Sequence, residues 1–175
     1  MILKLKRTPG LYLIGFMGSG KSTVGRIVAR HLGWRFADVD EDIESREQMS
    51  ITEIFDQKGE AEFRRKELSA LRRRVEDVAR GMPWVISVGG GCFLQPENNE
   101  LIQNHGLSIW LDCPLEMIKS RIAHSTHRPL ARDPEQLEKL YEERRPCYER
   151  ADFHIIVGEG GSQVAAEQIL AIPIF

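Results

Sequence analysis

The chain alternates short apolar runs with longer stretches in which apolar residues recur every three or four positions. Residues 11–14 (LYLI) are a compact apolar run between Gly10 and Gly15 and predict a buried strand. Over residues 21–32, Val24, Ile27, Val28 and His31 share one helical face, and Gly33 supplies the stop. Residues 34–39 predict a second strand. Ser50 and Glu53 have capping-box spacing and open a short helix that stops at Gly59. Residues 60–80 predict a long helix closed by Gly81 and Pro83, and residues 84–88 a buried strand running into three glycines. A strand at 108–111 follows, then a helix with Pro114 in its first turn. Residues 124–133 read as a polar loop, 134–150 as a helix disturbed by Pro146, 153–157 as a last strand, and the residues from Ser162 as a final helix. Strands alternating with helices predict a parallel sheet covered on both faces, a three-layer α/β/α arrangement in one domain spanning 1–175. In such sheets ligands gather at the carboxyl ends of the strands.

The segment GFMGSGKS, residues 15–22, matches G-x-x-x-x-G-K-[ST] and sits between a strand and a helix, the context this phosphate-binding loop requires. Glycines let backbone N–H groups face phosphates, and the helix start adds a positive dipole end. The expected nucleotide contacts are Gly15, Gly18, Ser19, Gly20, Lys21, Ser22 and Thr23. Lys21 reaches the β- and γ-phosphates, and the Ser22 hydroxyl ligates Mg²⁺. Residues 56–59 have DxxG form but follow no apolar strand, and no NKxD sequence is present to read guanine, so ATP is the expected nucleotide.

Asp38 and Asp40 stand two residues apart at the end of an extended segment, where both side chains would point to the same side. One carboxylate near bound Mg²⁺ can hold its water shell, and the other can orient a substrate hydroxyl for attack. Asp40 could equally be the N-cap of a helix beginning at Glu41. No acidic residue ends the strand at 84–88, which favours Asp38 as the acid on the Mg²⁺ side.

Two arginines sit on helical faces that otherwise read as apolar. Ala61, Leu68, Leu71, Val75 and Val78 form one stripe, and Arg64 falls on it, whereas Arg65, Arg72, Arg73 and Arg74 read as solvated. Leu137, Tyr141 and Tyr148 form another stripe that Arg144 completes. An inward arginine needs an anion. That anion is either a carboxylate of this chain or a carboxylate on a substrate, whose shape the guanidinium fork matches. Gly89, Gly90 and Gly91 directly follow a buried strand and permit close backbone approach by a ligand. Arg128 lies in the polar loop, which could close over the phosphates.

Composition narrows the classes. The chain has 175 residues, 42% hydrophobic and 29% charged, with a formal net charge of −2, which gives no electrostatic case for a nucleic-acid partner. Cys92, Cys113 and Cys147 are far apart and form no CxxC pair, so neither a disulfide framework nor a zinc site is expected, and a reducing, cytoplasmic setting is. The apolar run at 11–14 is too short for a signal peptide or a membrane span.

In order along residues 11–151, GSGKST (18–23), Asp38-Val39-Asp40, Glu62-Phe63-Arg64-Arg65, Gly89-Gly90-Gly91, Arg128-Pro129-Leu130 and Arg144-Arg145-Pro146-Cys147-Tyr148-Glu149 resemble the motifs of shikimate kinase. The resemblance implies a P-loop fold with a five-stranded parallel sheet in the order 2-3-1-4-5, as in nucleoside monophosphate kinases. It implies transfer of a phosphoryl group from ATP to the 3-hydroxyl of shikimate, with Mg²⁺, on the way to chorismate and the aromatic amino acids. Carried over by position, Asp40 would bind the ring hydroxyls, Arg64 and Arg144 the carboxylate, and the Gly89–Gly91 backbone the substrate. Asp38 and Ser22 would act at Mg²⁺, Arg121 near adenine, and Arg128 on the transferring phosphate. Lys21, Asp40 and Arg128 would be the catalytic set. A substrate-binding subdomain at about 38–66, a lid at about 124–133 and a monomeric state complete the expectation. Residues 158–162, where the family completes its adenine pocket, depart from it in being glycine-rich. Two rivals remain: another P-loop kinase such as one for gluconate, and a nucleotide-binding module without catalysis.

Overall fold

The structure is a computed structural model, and it describes residues 10–123 and 133–174. Five strands form one parallel sheet: β1 (Gly10–Ile14), β2 (Arg35–Asp38), β3 (Trp84–Ser87), β4 (Gly106–Asp112) and β5 (Phe153–Ile156), in spatial order β2-β3-β1-β4-β5. This is the order the resemblance implied. Every residue of β1 and β3 is buried, which is why these strands read as unbroken apolar runs rather than as alternation.

Seven α-helices are described: α1 (Lys21–Leu32), α2 (Val39–Glu47), α3 (Ile51–Ala79), α4 (Pro96–His105), α5 (Leu115–Ile122), α6 (Pro134–Tyr148) and α7 (Gly161–Leu170). The capping box forms as its spacing predicts: the Ser50 hydroxyl accepts from the Glu53 N–H, and Glu53 accepts from the Ser50 N–H. Within α3, Gly59 takes φ 81° and ψ 168°, which is not helical, so α3 consists of two helices meeting at a kink. The helix stop expected at Gly59 is thus present, in a conformation open to glycine because it lacks a Cβ.

Three expectations change. The buried face of α1 runs through Val24, Gly25, Val28 and Ala29, while His31 is exposed. Gly25 is the reason: a Cβ there would lie 2.5 Å from the Phe36 ring, so its absence lets β2 pack closely. In α3 the buried stripe is Phe63, Glu67, Ala70, Leu71, Val75 and Val78, and Ala61 is exposed. Arg74 is not solvated: its guanidinium forks onto Asp42 with two 2.7 Å bonds and lies 4.6 Å from the Trp84 ring centroid, tying α3 to α2. Helix α4 has no amphipathic pattern to announce it. Pro96 opens it, and its buried Asn98 and Asn99 donate to the Cys92 and Phe93 carbonyls of the preceding 3-10 turn.

The carboxyl ends of β1 to β4 now stand side by side in space. They deliver the glycine loop at 15–20, Asp38, the three glycines and Asp112 to one edge of the sheet.

Candidate active site

Gly15, Gly18 and Gly20 all adopt positive φ, at 141°, 74° and 95°. At Gly15 a Cβ would also stand 2.7 Å from the Leu111 carbonyl oxygen, so the loop needs glycine for both conformation and space. Ser19 is fully buried and Thr23 is exposed. The Lys21 ammonium is buried and donates to the carbonyls of Gly15 and Phe16, both at 2.9 Å. These two bonds curl the lysine over its own loop, where phosphate oxygens would compete for the same donor.

The Ser22 hydroxyl donates to Asp38 Oδ2 at 2.5 Å. The other Asp38 oxygen accepts from the N–H groups of Asp40 and Glu41 at 3.0 and 3.3 Å. Asp38 is thus the N-cap of α2, the role weighed beforehand for Asp40. Helix α2 begins at Val39, so Asp38 and Asp40 do not lie on one extended strand as the spacing suggested. They diverge by role: Asp38 turns to the phosphate loop, and Asp40 stands over Gly89, where a Cβ would meet its Oδ1 at 3.1 Å. Two hard oxygen donors in contact beside a phosphate loop fit Mg²⁺, which takes few protein ligands and completes its shell with phosphate and water. Among the described residues no group of three or more His, Cys, Asp and Glu could hold a metal by itself.

The glycine run is crowded by charged side chains. Beside Gly89 stands Glu67 as well as Asp40, with Oε1 3.0 Å from the position of a Cβ. Beside Gly90 stands Arg144, at 3.1 Å by the same measure, and beside Gly91 stands Arg64, at 2.6 Å. Arg64 and Arg144, both half-buried, therefore converge on one backbone segment. Arg64 also meets a carboxylate of its own chain: Nη1 donates to Glu67 Oε2 at 2.9 Å, and Nη2 and Nε reach Glu60 at 3.3 and 3.4 Å. Arg144 lies 5.6 Å from the Phe16 ring centroid, and its buried Nε has no hydrogen-bond partner among the described residues. Tyr148 fixes the opposite side by donating to the Gly90 carbonyl at 2.5 Å.

Glu67 is the site residue that sequence reasoning missed. It is fully buried, and its Oε1 has no hydrogen-bond partner among the described residues. Burial raises its carboxyl above the usual range, while the charges of Arg64 and Arg144 pull the other way. The available signal was its spacing. It stands three residues after Arg64 on the same helical face, where a carboxylate can meet the guanidinium.

Arg121 packs on the phosphate loop. Its Nη1 donates to the Gly18 carbonyl at 3.0 Å and to Cys113 Sγ at 3.6 Å. A Cβ on Gly20 would lie 3.5 Å from both Arg121 Nη1 and Ser162 Oγ, so the start of α7 closes this end of the site. Arg128 and all but Asp133 of the expected lid lie outside the described residues.

The chain is similar to several known proteins. The family model described as Shikimate kinase matches residues 17–172. A shikimate kinase of Ruegeria pomeroyi is 42% identical over 163 residues, covering 91% of this chain and 82% of that protein. One from a Sulfurihydrogenibium species is 39% identical over 161 residues, covering 91% and 95%. The structure of shikimate kinase from Acinetobacter baumannii in complex with shikimate superposes with a TM-score of 0.84 at 34% identity, covering 93% of this chain and 90% of that one.

Proposed function

The chain belongs to the shikimate kinase family, and we propose that it moves the γ-phosphoryl group of ATP to the 3-hydroxyl of shikimate, giving shikimate 3-phosphate and ADP. The observation that carries this reading is the convergence of Arg64 and Arg144 on the Gly89–Gly91 segment beside Asp40. Two forked cations next to a hydroxyl acceptor suit a small hydroxy acid. The phosphate loop on the neighbouring strand β1 brings the second substrate to the same edge.

Each residue then has a task. Arg64 and Arg144 take the carboxylate, and Glu67 holds Arg64 in place from behind. Asp40 accepts a hydrogen bond from the attacking hydroxyl and orients it. The hydroxyl oxygen forms a bond to the γ-phosphorus and gives up its proton toward the Asp40 carboxylate, while the bond to the β–γ bridging oxygen breaks and that electron pair leaves with ADP. Lys21 releases the Gly15 and Phe16 carbonyls and follows the charge on the β- and γ-phosphates. Ser22 and Asp38 would hold Mg²⁺, which would supply positive charge to the phosphates. Arg121, with the start of α7, borders the adenine end. Arg128 supplies positive charge to the transferring group from the lid at 124–133, and α2 with the first part of α3 forms the substrate-binding part at 38–66.

A gluconate kinase shares the phosphate loop but has no need of both inward arginines. A module without catalysis has no need of a hydroxyl acceptor beside the phosphates. We place the enzyme in the cytoplasm on the strength of its three free cysteines. It acts as a monomer, since the described residues expose only two large apolar side chains, Ile156 and Val164. Among the described residues no helix is long and apolar enough to cross a membrane. An ADP-release assay tests the assignment. Shikimate should stimulate turnover strongly, and gluconate and nucleoside monophosphates should do little; a better rate with gluconate overturns it.

A further inference from the structure

We infer that Arg145, the neighbour of Arg144, is a positioning residue for the carboxylate site: it clamps α6 to the end of β4 and so helps fix the direction in which Arg144 points. This deepens the reading of Arg144 given above and rests on it. Adjacent residues on a helix project about 100° apart, so one side chain can anchor the helix while its neighbour serves the substrate.

The anchor is well built. Arg145 Nη1 donates to Asp112 Oδ1 at 2.7 Å and Nη2 to Asp112 Oδ2 at 3.1 Å, a two-point fork at the last residue of β4. Nη1 also donates to the Tyr141 hydroxyl at 2.8 Å, and that hydroxyl donates to the Cys113 carbonyl at 3.0 Å. The guanidinium lies 5.0 Å from the Trp110 ring centroid. His154 stacks on Trp110 with centroids 4.2 Å apart and brings Nε2 within 2.9 Å of Asp112 Oδ2. Strands β4 and β5 and helix α6 are thus joined through one carboxylate.

Helix α6 needs such an anchor at this point. Pro146 lies inside it and has no N–H, so the backbone bond to the Glu142 carbonyl is missing beside the two arginines. Side chains replace that link from two directions. Tyr148 donates to the Gly90 carbonyl on the substrate side, and Arg145 grips Asp112 on the far side. Arg144 sits between these two fixings, its buried Nε without a hydrogen-bond partner among the described residues and its guanidinium hydrogen-bonded to the Tyr148 side chain. Its direction is therefore set by the two fixings together, with the Asp112 fork holding the helix on the far side.

A residue that only stabilised the fold would change both substrates alike. A positioning residue changes the one whose ligand it aims. Steady-state kinetics with each substrate varied separately, on Arg145→Met, Arg145→Lys and Asp112→Asn, with Arg144→Met alongside, make the test. Arg145→Met should raise the shikimate KM on the order of tenfold, leaving kcat within about threefold and the ATP KM within about twofold. Arg145→Lys keeps the charge but not the fork and should fall between Met and the parent. Asp112→Asn should move the same parameter in the same direction, and it keeps the test available if Arg145→Met does not fold. A shikimate KM within about twofold of the parent in Arg145→Met and Asp112→Asn, with Arg144→Met impaired, refutes the clamp alone. Parallel losses for ATP and shikimate refute it too, as a structural effect. An unimpaired Arg144→Met would instead strike at the carboxylate assignment itself.

Discussion

The hydroxyl of Ser22 and the carboxylate of Asp38 meet at 2.5 Å, although sixteen residues separate them in the chain. Helix α1 brings one and the end of β2 the other, so the phosphate loop and the second strand share an oxygen pair. If that pair holds Mg²⁺, Asp38→Asn should raise the Mg²⁺ concentration needed for half-maximal activity by on the order of 10–100-fold. A Mg²⁺ titration of turnover at fixed ATP reads this directly. An unchanged titration curve would remove Asp38 from the metal site and leave it as the N-cap of α2.

Arg64 and Arg65 carry the same charge one residue apart, and their surroundings separate them. The Arg64 side chain is 20% exposed and faces fully buried Glu67, whereas Arg65 is 79% exposed and pairs with Glu62 at the surface. Arg64→Ala should weaken shikimate binding by about 2–5 kcal/mol, the cost of truncating one partner of a buried charged pair. Arg65→Ala should cost about 0–1 kcal/mol. Shikimate dissociation constants for both variants decide it, and equal losses would contradict the placement of Arg64.

Glu67 makes stability depend on pH in an unusual sense for a carboxylate. Burial lifts its carboxyl above the usual range, against the pull of Arg64 and Arg144. The folded chain therefore holds this proton to higher pH than the unfolded chain does. The proton count is larger in the folded state across that window, so Glu67's own contribution to stability falls as pH rises through it. Glu67→Gln cannot titrate and should lack this component. Thermal unfolding from pH 4 upward should show a decline in the parent that is shallower in the variant, whatever their absolute stabilities. Identical slopes would mean that Glu67 is charged throughout.

How much of this was legible beforehand follows from what each signal depends on. The phosphate loop is a local motif whose glycines, lysine and serine act within a few residues of one another, and it was readable as written. Arg64 and Arg144 were readable because a charge on an apolar stripe violates a periodic pattern. The same reasoning misjudged Arg74, which finds Asp42 on another helix. It also overlooked Glu67, whose role exists only once α3 lies against the Gly89 turn. Asp38 and Asp40 were found but their roles blurred, because the strand-to-helix change at Val39 depends on which of them caps. The Arg145 clamp was invisible, since Asp112, Trp110 and His154 come from two strands that meet it only in the folded sheet.

Gly91 offers a test of how tightly the carboxylate site is packed. Its backbone is unstrained, with φ −95° and ψ −8°, so alanine is allowed there conformationally. The objection is space: a Cβ would stand 2.6 Å from Arg64 Nη2 and 2.9 Å from Nη1. A guanidinium is the far end of a long side chain and can move, so the fold should tolerate the change. Moving it, however, strains the Arg64–Glu67 bond and shifts the fork away from a bound carboxylate. Gly91→Ala should therefore lower stability by less than about 2 kcal/mol, within the ordinary range for single substitutions. It should raise the shikimate KM by about tenfold or more, the scale of effect expected from a small displacement of a positioning group. The ATP KM should stay near that of the parent, because the phosphate loop is untouched. Thermal unfolding together with kinetics on both substrates checks all three expectations. An unchanged shikimate KM would show that Arg64 has room to yield without leaving the substrate, and the packing argument for Gly91 would fail.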